Sequence, residues 1–233
     1  MNQSEFDLYS RSYHELLADP LRDHFAASGP DFFHIRKRDL IRSYFRKRGI
    51  DTRKLSYLDV GCGFGRLLSL LRDDFGRVAG CDVSQGMIDQ ASGLEVRLQE
   101  HPCKMPFNAG EFDVVSAACV YHHVLGPDRI ALTKDIVRVM TPGATLAIIE
   151  HNPWNPVTRL IVSRSPIDRE AQLLTSSESK AVLSEAGLVP EASFYFLFFP
   201  ERLYTHGGAR IEGCLSRLPL GGQYAIFGQK CQR

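Results

Sequence analysis

The stretch Tyr57-Leu58-Asp59-Val60-Gly61-Cys62-Gly63-Phe64-Gly65-Arg66 leaves this chain few ways to fold. A short apolar run carries an acidic residue near its end, alternating glycines follow, and Leu67-Leu68-Ser69-Leu70-Leu71 takes up a helical period. That order reads as strand, turn and helix, with the turn stripped of side chains. Glycine there permits positive φ and lets a ligand come close to the backbone. Amides at the start of the next helix favour a carboxylate or phosphate through their local dipole. A second apolar run, Val78-Ala79-Gly80-Cys81-Asp82-Val83-Ser84, also carries an acid, placed to accept hydrogen bonds from a ribose. The spacing is G-x-G-x-G, and Arg66 and Leu67 stand where a dinucleotide fingerprint carries its last glycine. The pattern therefore argues against a nicotinamide-dependent oxidoreductase.

From this turn the alternation extends along the chain. Strands are predicted at 55–60, 77–82, 94–99, 112–118 and 144–150, with helices at 64–74, 84–92 and 127–140. Strands separated by helices imply parallel pairing with right-handed crossovers. Ligands in such sheets bind at the carboxyl ends of the strands. This selects Asp59, Asp82 and the segments 99–103, 117–123 and 149–152 as pocket lining. Residues 151–174 are turn-rich, with a short helix at 157–162. Thr175-Ser176-Ser177-Glu178 is a capping signal for a helix at 176–186 ending at Gly187. The aromatic run 194–199 is expected as strand 6 and 224–228 as strand 7, with an aperiodic insertion at 200–221.

Ahead of the first strand, Phe6, Tyr9, Tyr13, Leu16 and Leu17 recur at helical spacing over 4–19, and Asp19-Pro20 is expected to end that helix. A second amphipathic helix is expected over 30–48, with Phe33, Leu40, Ile41, Tyr44 and Phe45 on its apolar side. Its other side carries Arg36, Lys37, Arg38, Arg42, Arg46, Lys47 and Arg48. Such a run is either a solvated face or an attraction for an anionic substrate, such as a phosphorylated or lipid-linked sugar.

At 233 residues the chain suffices for one α/β domain. A formal charge of +1 gives no bulk attraction to nucleic acid. No apolar run reaches the ~18 residues of a membrane span, and the polar start Met1-Asn2-Gln3-Ser4-Glu5 is not a signal peptide. The six cysteines form no C-x-x-C pair, so no metal site is expected and they read as reduced thiols of a cytoplasmic protein.

The chain resembles the class I S-adenosylmethionine-dependent methyltransferases. The resemblance rests on Leu58-Asp59-Val60-Gly61-Cys62-Gly63-Phe64-Gly65, Asp82-Val83-Ser84 with Met87, Met105-Pro106-Phe107, and Phe112-Asp113-Val114-Val115. Thr141-Pro142-Gly143-Ala144, before a strand at 145–149, completes the ordered series. It implies a single domain of α/β class: a Rossmann-like, seven-stranded, mostly parallel sheet with helices on both faces and strand 7 antiparallel. Residues 1–50 would form an N-terminal helical cap, 51–150 the cofactor-binding core, and 151–233 the substrate-side half.

By the same resemblance, Gly61, Cys62, Gly63 and Gly65 pass beneath the methionine tail and ribose of S-adenosylmethionine. Asp59 meets the tail ammonium, Asp82 the ribose hydroxyls, and Val83 and Met87 the adenine. Cys119 joins the cofactor-binding set, Tyr13 reaches in from the cap, and Lys37 meets the tail carboxylate. In one departure, His101 and Pro102 stand where similar enzymes carry an Asp-Ala pair. Proline has no amide hydrogen, so adenine would be read by Cys103, Glu100 or water.

Methyl transfer needs a base only where the nucleophile must lose a proton near neutral pH. Among histidines near strand ends, His122, His123 and His151, the first choice is His151, beside Glu150, and the second is His123. Asn152-Pro153-Trp154 differs from the Asn/Asp-Pro-Pro-aromatic motif of nucleic-acid amine methylation in proline count and in the strand it follows. The segment from His151 to Pro156, with Ser165-Pro166-Ile167-Asp168, is instead similar to bacterial small-molecule methyltransferases of polysaccharide or secondary-metabolite pathways. The expected activity is methyl transfer to an oxygen, nitrogen or carbon of a small molecule, leaving S-adenosylhomocysteine. The alternative is a SAM-binding sensor or partner subunit without catalysis.

Overall fold

A computed structural model describes residues 3–27, 29 and 31–232, and only the backbone of Gln3, Ser4, Glu5, His14 and Thr205. Met1 and Asn2 of the polar start, and Pro30 at the head of the second expected helix, lie outside the described residues. Among the described residues, four α-helices and a 3-10 turn (Thr52–Lys54) precede the first strand: α1 (Gln3–Tyr9), α2 (Tyr13–Leu16), α3 (Pro20–Phe25) and α4 (Asp31–Arg46). The expected single helix over 4–19 is thus two. Asp19-Pro20 also opens a helix: the Asp19 carboxylate accepts from the amides of Leu21 and Arg22, and proline suits a first helical position.

The alternation follows: β1 (Ser56–Val60), α5 (Arg66–Leu71), β2 (Arg77–Asp82), α6 (Gln85–Ile88), β3 (Glu95–Leu98), β4 (Phe112–Ala118), α7 (Gly126–Val139) and β5 (Met140–His151). The remainder comprises α8 (Pro156–Arg164), α9 (Ser176–Glu185), β6 (Leu188–Phe196), α10 (Glu201–Leu203), α11 (Ala209–Leu215) and β7 (Gln223–Lys230). The strand order is β3-β2-β1-β4-β5-β7-β6. Pairings among β1 to β5 are parallel, and β7 runs antiparallel to both neighbours.

Both faces are covered because successive side chains on a strand point to opposite sides. Leu58, Leu146, Ile148, Tyr224 and Ile226 pack with Leu132 and Ile136 of α7 and Leu183 of α9. Tyr57, Ala147, Ile149, Ala225 and Phe227 face Ile41, Tyr44 and Phe45 of α4 and Leu67, Leu68 and Leu71 of α5. Register sets the strand ends level: Val60 pairs with Cys81 on one side and Ala117 on the other. The glycine turn, Asp82 and Cys119 therefore emerge side by side where the order reverses about β1, the crevice in which α/β sheets bind ligands.

Strand 6 departs from the sequence reading. It covers Leu188–Phe196 rather than 194–199. Beyond Phe196, the Glu212 carboxylate takes the amides of Leu197 (2.7 Å) and Phe198 (3.2 Å), and Leu197 adopts φ 62°. Pro190 is tolerated because β6 pairs on one side only, at a register shift. The insertion 200–221 is not structureless: it holds α10, a helical turn at 204–208, and α11. Its anchor is polar, since Glu212 also receives Arg36 and the Tyr204 hydroxyl.

Candidate functional site

β1 leads into a turn that only glycine fits. Gly61 has φ +69°, and a Cβ there would lie 2.5 Å from Val120 Cγ2. Gly63 differs: within 4 Å a Cβ would meet only the Met87 sulfur, at 3.6 Å, and its open side faces a cavity of about 370 Å³. Asp82, 7% exposed, accepts the Gly63 amide at 2.8 Å on one carboxylate oxygen and the Ser84 amide at 2.9 Å on the other. Burial raises its pKa against these bonds. Asp82 lines both the cavity and a narrow apolar notch made with Val60, Val83, Val120, Val124 and Leu132.

Asp59 lies beneath the turn rather than in the cavity wall. Its carboxylate accepts from Ser116 Oγ at 2.6 Å, and burial pushes its pKa up to about 7 against that bond and the Lys37 charge. Lys37, buried on α4, brings its ammonium 3.4 Å from Cys119 Sγ, and Gln223 Nε2 approaches the same sulfur at 3.5 Å. Cys119 takes φ 61°, rare for a residue with a side chain. Burial resists charge on its thiol, but Lys37 and His151 outweigh burial and hold it at about 6.

A histidine cluster also lines the cavity. His122 Nδ1 lies 2.6 Å from Glu150 Oε2. Glu150 Oε1 accepts the amides of Val120 and Tyr121 at 2.9 and 2.7 Å. His122 Nε2 faces Asp168 Oδ1 at 3.3 Å, and His123 Nε2 faces the same oxygen at 3.4 Å. Burial disfavours charge on His122, but the Glu150 carboxylate and the bonds from Asp168 and Glu150 raise its pKa to about 10. Burial and the His122 charge press His123 down to about 3, so it is neutral. His151 completes the group, its ring 5.1 Å from that of His122.

α1 covers the cavity and is tied to it. Asp7 accepts from Ser84 Oγ at 2.6 Å and from the Gly86 amide at 3.1 Å, next to Asp82. Phe6 stands edge-on to His123 at 5.2 Å, and Tyr13 edge-on to Phe64 at 5.3 Å. Three buried atoms of cavity-lining residues, Gln223 Oε1, His34 Nδ1 and Ser165 Oγ, have no hydrogen-bond partner among the described residues. Leaving such groups unpaired costs about 1–3 kcal/mol each, so the wall offers bonds to a ligand.

Residues 58–148 match the methyltransferase domain family. That stretch is a methyltransferase domain, and it carries the glycine turn and Asp82. It is 32% identical over 52% of its length to the demethylmenaquinone methyltransferase of Lactococcus lactis, covering 52% of that protein. It is 30% identical over 51% of its length to the 2-methyl-6-phytyl-1,4-hydroquinone methyltransferase of Synechocystis, covering 39% of it. The chain thus spans about half or less of the length of these relatives. In fold it is similar to an S-adenosylmethionine-dependent methyltransferase from Thermotoga maritima: TM-score 0.67, 16% identity, 97% of this chain and 98% of that one. A second such structure, from Archaeoglobus fulgidus, gives TM-score 0.59 at 20% identity, covering 87% of this chain and all of that one.

Within this methyltransferase fold, Gly61, Cys62, Gly63, Asp82, Met87, Cys119, Tyr13, Lys37, His123 and His151 line the cavity, and Val83 the notch. Cys103 and Gly65 do not. The Cys103 amide donates to His101 Nδ1 at 3.1 Å and its sulfur points to the Asp128 carbonyl at 3.7 Å, so Gln99 and Pro102 line the notch instead. Gly65 is structural: at φ +72° it begins α5, and a Cβ would stand 2.4 Å from Leu94 Cδ1. Asn152 spends its side chain on the carbonyls of Pro219 and Gly221 and the amide of Trp154, a staple rather than a substrate contact. Arg36, Arg38 and Arg42 of the basic run face Asp39, Glu212 or Asp74. The sequence reading passed over Asp168, Asp7 and Phe6 as site residues. Asp168 stands in an irregular stretch, and the sequence reading names it only within Ser165-Pro166-Ile167-Asp168, with no role of its own.

Proposed function

We propose that this methyltransferase transfers a methyl group from S-adenosylmethionine to a small acceptor with an apolar body and a nucleophilic head. One observation carries the reading: a single cavity joins the glycine turn and Asp82 to the histidine cluster. The residues present fit the cofactor. Asp82 would take the ribose, the notch at Val83 the adenine, and the open face of Gly63 the chain between them. Lys37 is placed to meet the tail carboxylate, with Asp59 beneath. When bound, the cofactor supplies an electrophilic methyl on a sulfonium.

The protein then has two tasks. Phe6, Tyr13, Phe33 and Ile161 exclude water and hold the acceptor in line, and alignment in a dry pocket contributes much of the rate. Where the acceptor carries a proton, a ring nitrogen of His151 accepts it; His123, pressed down to about 3, is the weaker base of the two. Lining side chains such as Leu16, Leu17, Phe25 and Val162 favour an apolar body, and two relatives named for quinone-type substrates support that class. Arg22 would meet an acidic group on the acceptor. No observation favours the non-catalytic alternative. The test is calorimetric titration with S-adenosylmethionine and S-adenosylhomocysteine, with NAD as control, followed by an acceptor screen beginning with hydroquinones. Saturable binding of the first two and not NAD is expected; binding of NAD alone overturns the reading.

A further inference from the structure

On the wall of the cavity, three ligand atoms converge from two parts of the chain. One ligand atom from each of His122, His123 and Asp168 lies within 4.8 Å of the other two. His122 Nε2 and His123 Nε2 stand 3.3 and 3.4 Å from the shared carboxylate oxygen, Asp168 Oδ1. Donors about 2.0–2.1 Å from a tetrahedral ion are separated by about 3.3–3.4 Å, so both edges already match.

The surroundings fit the same purpose. A ligating imidazole characteristically gives its other ring nitrogen to a carboxylate, which fixes its tautomer and orientation. His122 does this: Nδ1 is held at 2.6 Å by Glu150, itself fixed by two backbone amides, leaving Nε2 for the cluster. Charge points the same way. Two carboxylates, Glu150 and Asp168, face the single His122 imidazole, one at each ring nitrogen. A divalent ion between neutral imidazoles would balance both carboxylates. Three protein ligands leave a fourth position open, as in catalytic rather than structural sites, and all three residues line the cavity.

We propose that His122, His123 and Asp168 form a binding site for a divalent transition-metal ion, with Glu150 as the outer carboxylate that orients His122. Two imidazoles and a carboxylate suit zinc, cobalt or ferrous iron rather than magnesium or calcium. With the open position facing the cavity, the ion polarises an oxygen on the acceptor and eases loss of its proton to His151. In that role His123 is a ligand and not a base. The role toward the acceptor rests on the function proposed above; ion binding itself does not.

The experiment reads the two separately. The full chain is stripped with a chelator, dialysed, and titrated with Co²⁺ and with Zn²⁺ in the absence of cofactor and acceptor. One ion per chain is expected, with the visible bands of four-coordinate Co²⁺. Asp168→Asn and His123→Ala are expected to weaken binding by about 100-fold or more, and Glu150→Gln by about 10–100-fold. His206→Ala, away from the cavity, leaves binding unchanged. S-adenosylhomocysteine binding by the same variants reports whether the fold and cofactor end are intact. Absence of ion binding by the wild-type chain overturns the site. Equal binding by wild type and His123→Ala, both competent for S-adenosylhomocysteine, places the ion elsewhere and overturns it too.

Discussion

Glu150 holds His122 at 2.6 Å on one carboxylate oxygen while its other oxygen is locked by the amides of Val120 and Tyr121. Both side chains are 1% exposed. The end of β5 and the turn after β4 are thus joined by one ionic contact at the floor of the cavity.

Replacing Glu150 by Gln keeps an acceptor for the two amides and removes the charge. The loss expected from uncoupling a buried pair is about 3 kcal/mol, read by urea unfolding. Stability should also lose a pH dependence. His122, raised to about 10, contributes stability that is complete below about pH 6.5 and lost as pH rises toward 10. Glu150 is lowered to about 2: burial opposes its charge, but His122 outweighs burial. Its contribution is complete above about pH 4.5 and lost as pH falls toward 2. The pair's stabilisation is therefore greatest between these limits. A wild-type profile no different from that of Glu150→Gln would refute the coupling.

Asp82→Ala removes the acceptor assigned to the ribose. Affinity for S-adenosylmethionine should fall by about 1–3 kcal/mol, the scale of a lost buried partner. Calorimetry measures this directly, and unchanged affinity would sink the assignment.

His151→Ala should leave cofactor binding intact and lower turnover by about 10²–10⁴-fold for an acceptor that must lose a proton. Wild-type rates across pH would remove His151 as the base.

Two glycines with similar φ separate backbone strain from crowding. Gly61 (φ +69°) and Gly93 (φ +75°) share the left-handed region, but a Cβ at Gly93 meets nothing within 4 Å, whereas at Gly61 it strikes Val120. Gly93→Ala should cost about 1–2 kcal/mol. Gly61→Ala should cost more, with weaker cofactor binding, because Val120 must move. Equal costs in chemical unfolding would show that Val120 gives way freely.

With its thiol at about 6, Cys119 is expected to alkylate with a pH midpoint near that value, far below an ordinary cysteine. Lys37→Met should raise the midpoint, and S-adenosylhomocysteine should slow the reaction. Rates of iodoacetamide labelling followed by mass spectrometry measure all three effects. A midpoint unaffected by Lys37→Met would show that the ammonium does not control the thiol.

What could be read from the sequence was what local chemistry constrains. Alternating glycines after an apolar run, and Asp82 at the close of the next, mark strand ends whatever surrounds them. The capping box of Thr175 and Glu178 forms as its spacing predicts. What could not be read depends on partners distant in the chain. Nothing near Phe196 shows that a glutamate on α11 will take its neighbours' amides and stop the strand. Cys103 reads as an adenine contact because Pro102 before it has no amide hydrogen, but the His101 ring claims the Cys103 amide. Asp168 acquires its meaning only when folding brings it against His122 and His123.

The place of β7 carries a consequence in time. It is the last strand in the order of the chain, yet it lies between β5 and β6. Until its residues leave the ribosome, β6 has no strand to pair with, and one edge of β5 stays open. Gln223, whose amide meets Cys119, and Tyr224, whose hydroxyl anchors Leu174 and Thr175, arrive in the same step. A nascent chain short of β7 thus has an unfinished sheet and an unfinished cavity, and completing one completes the other.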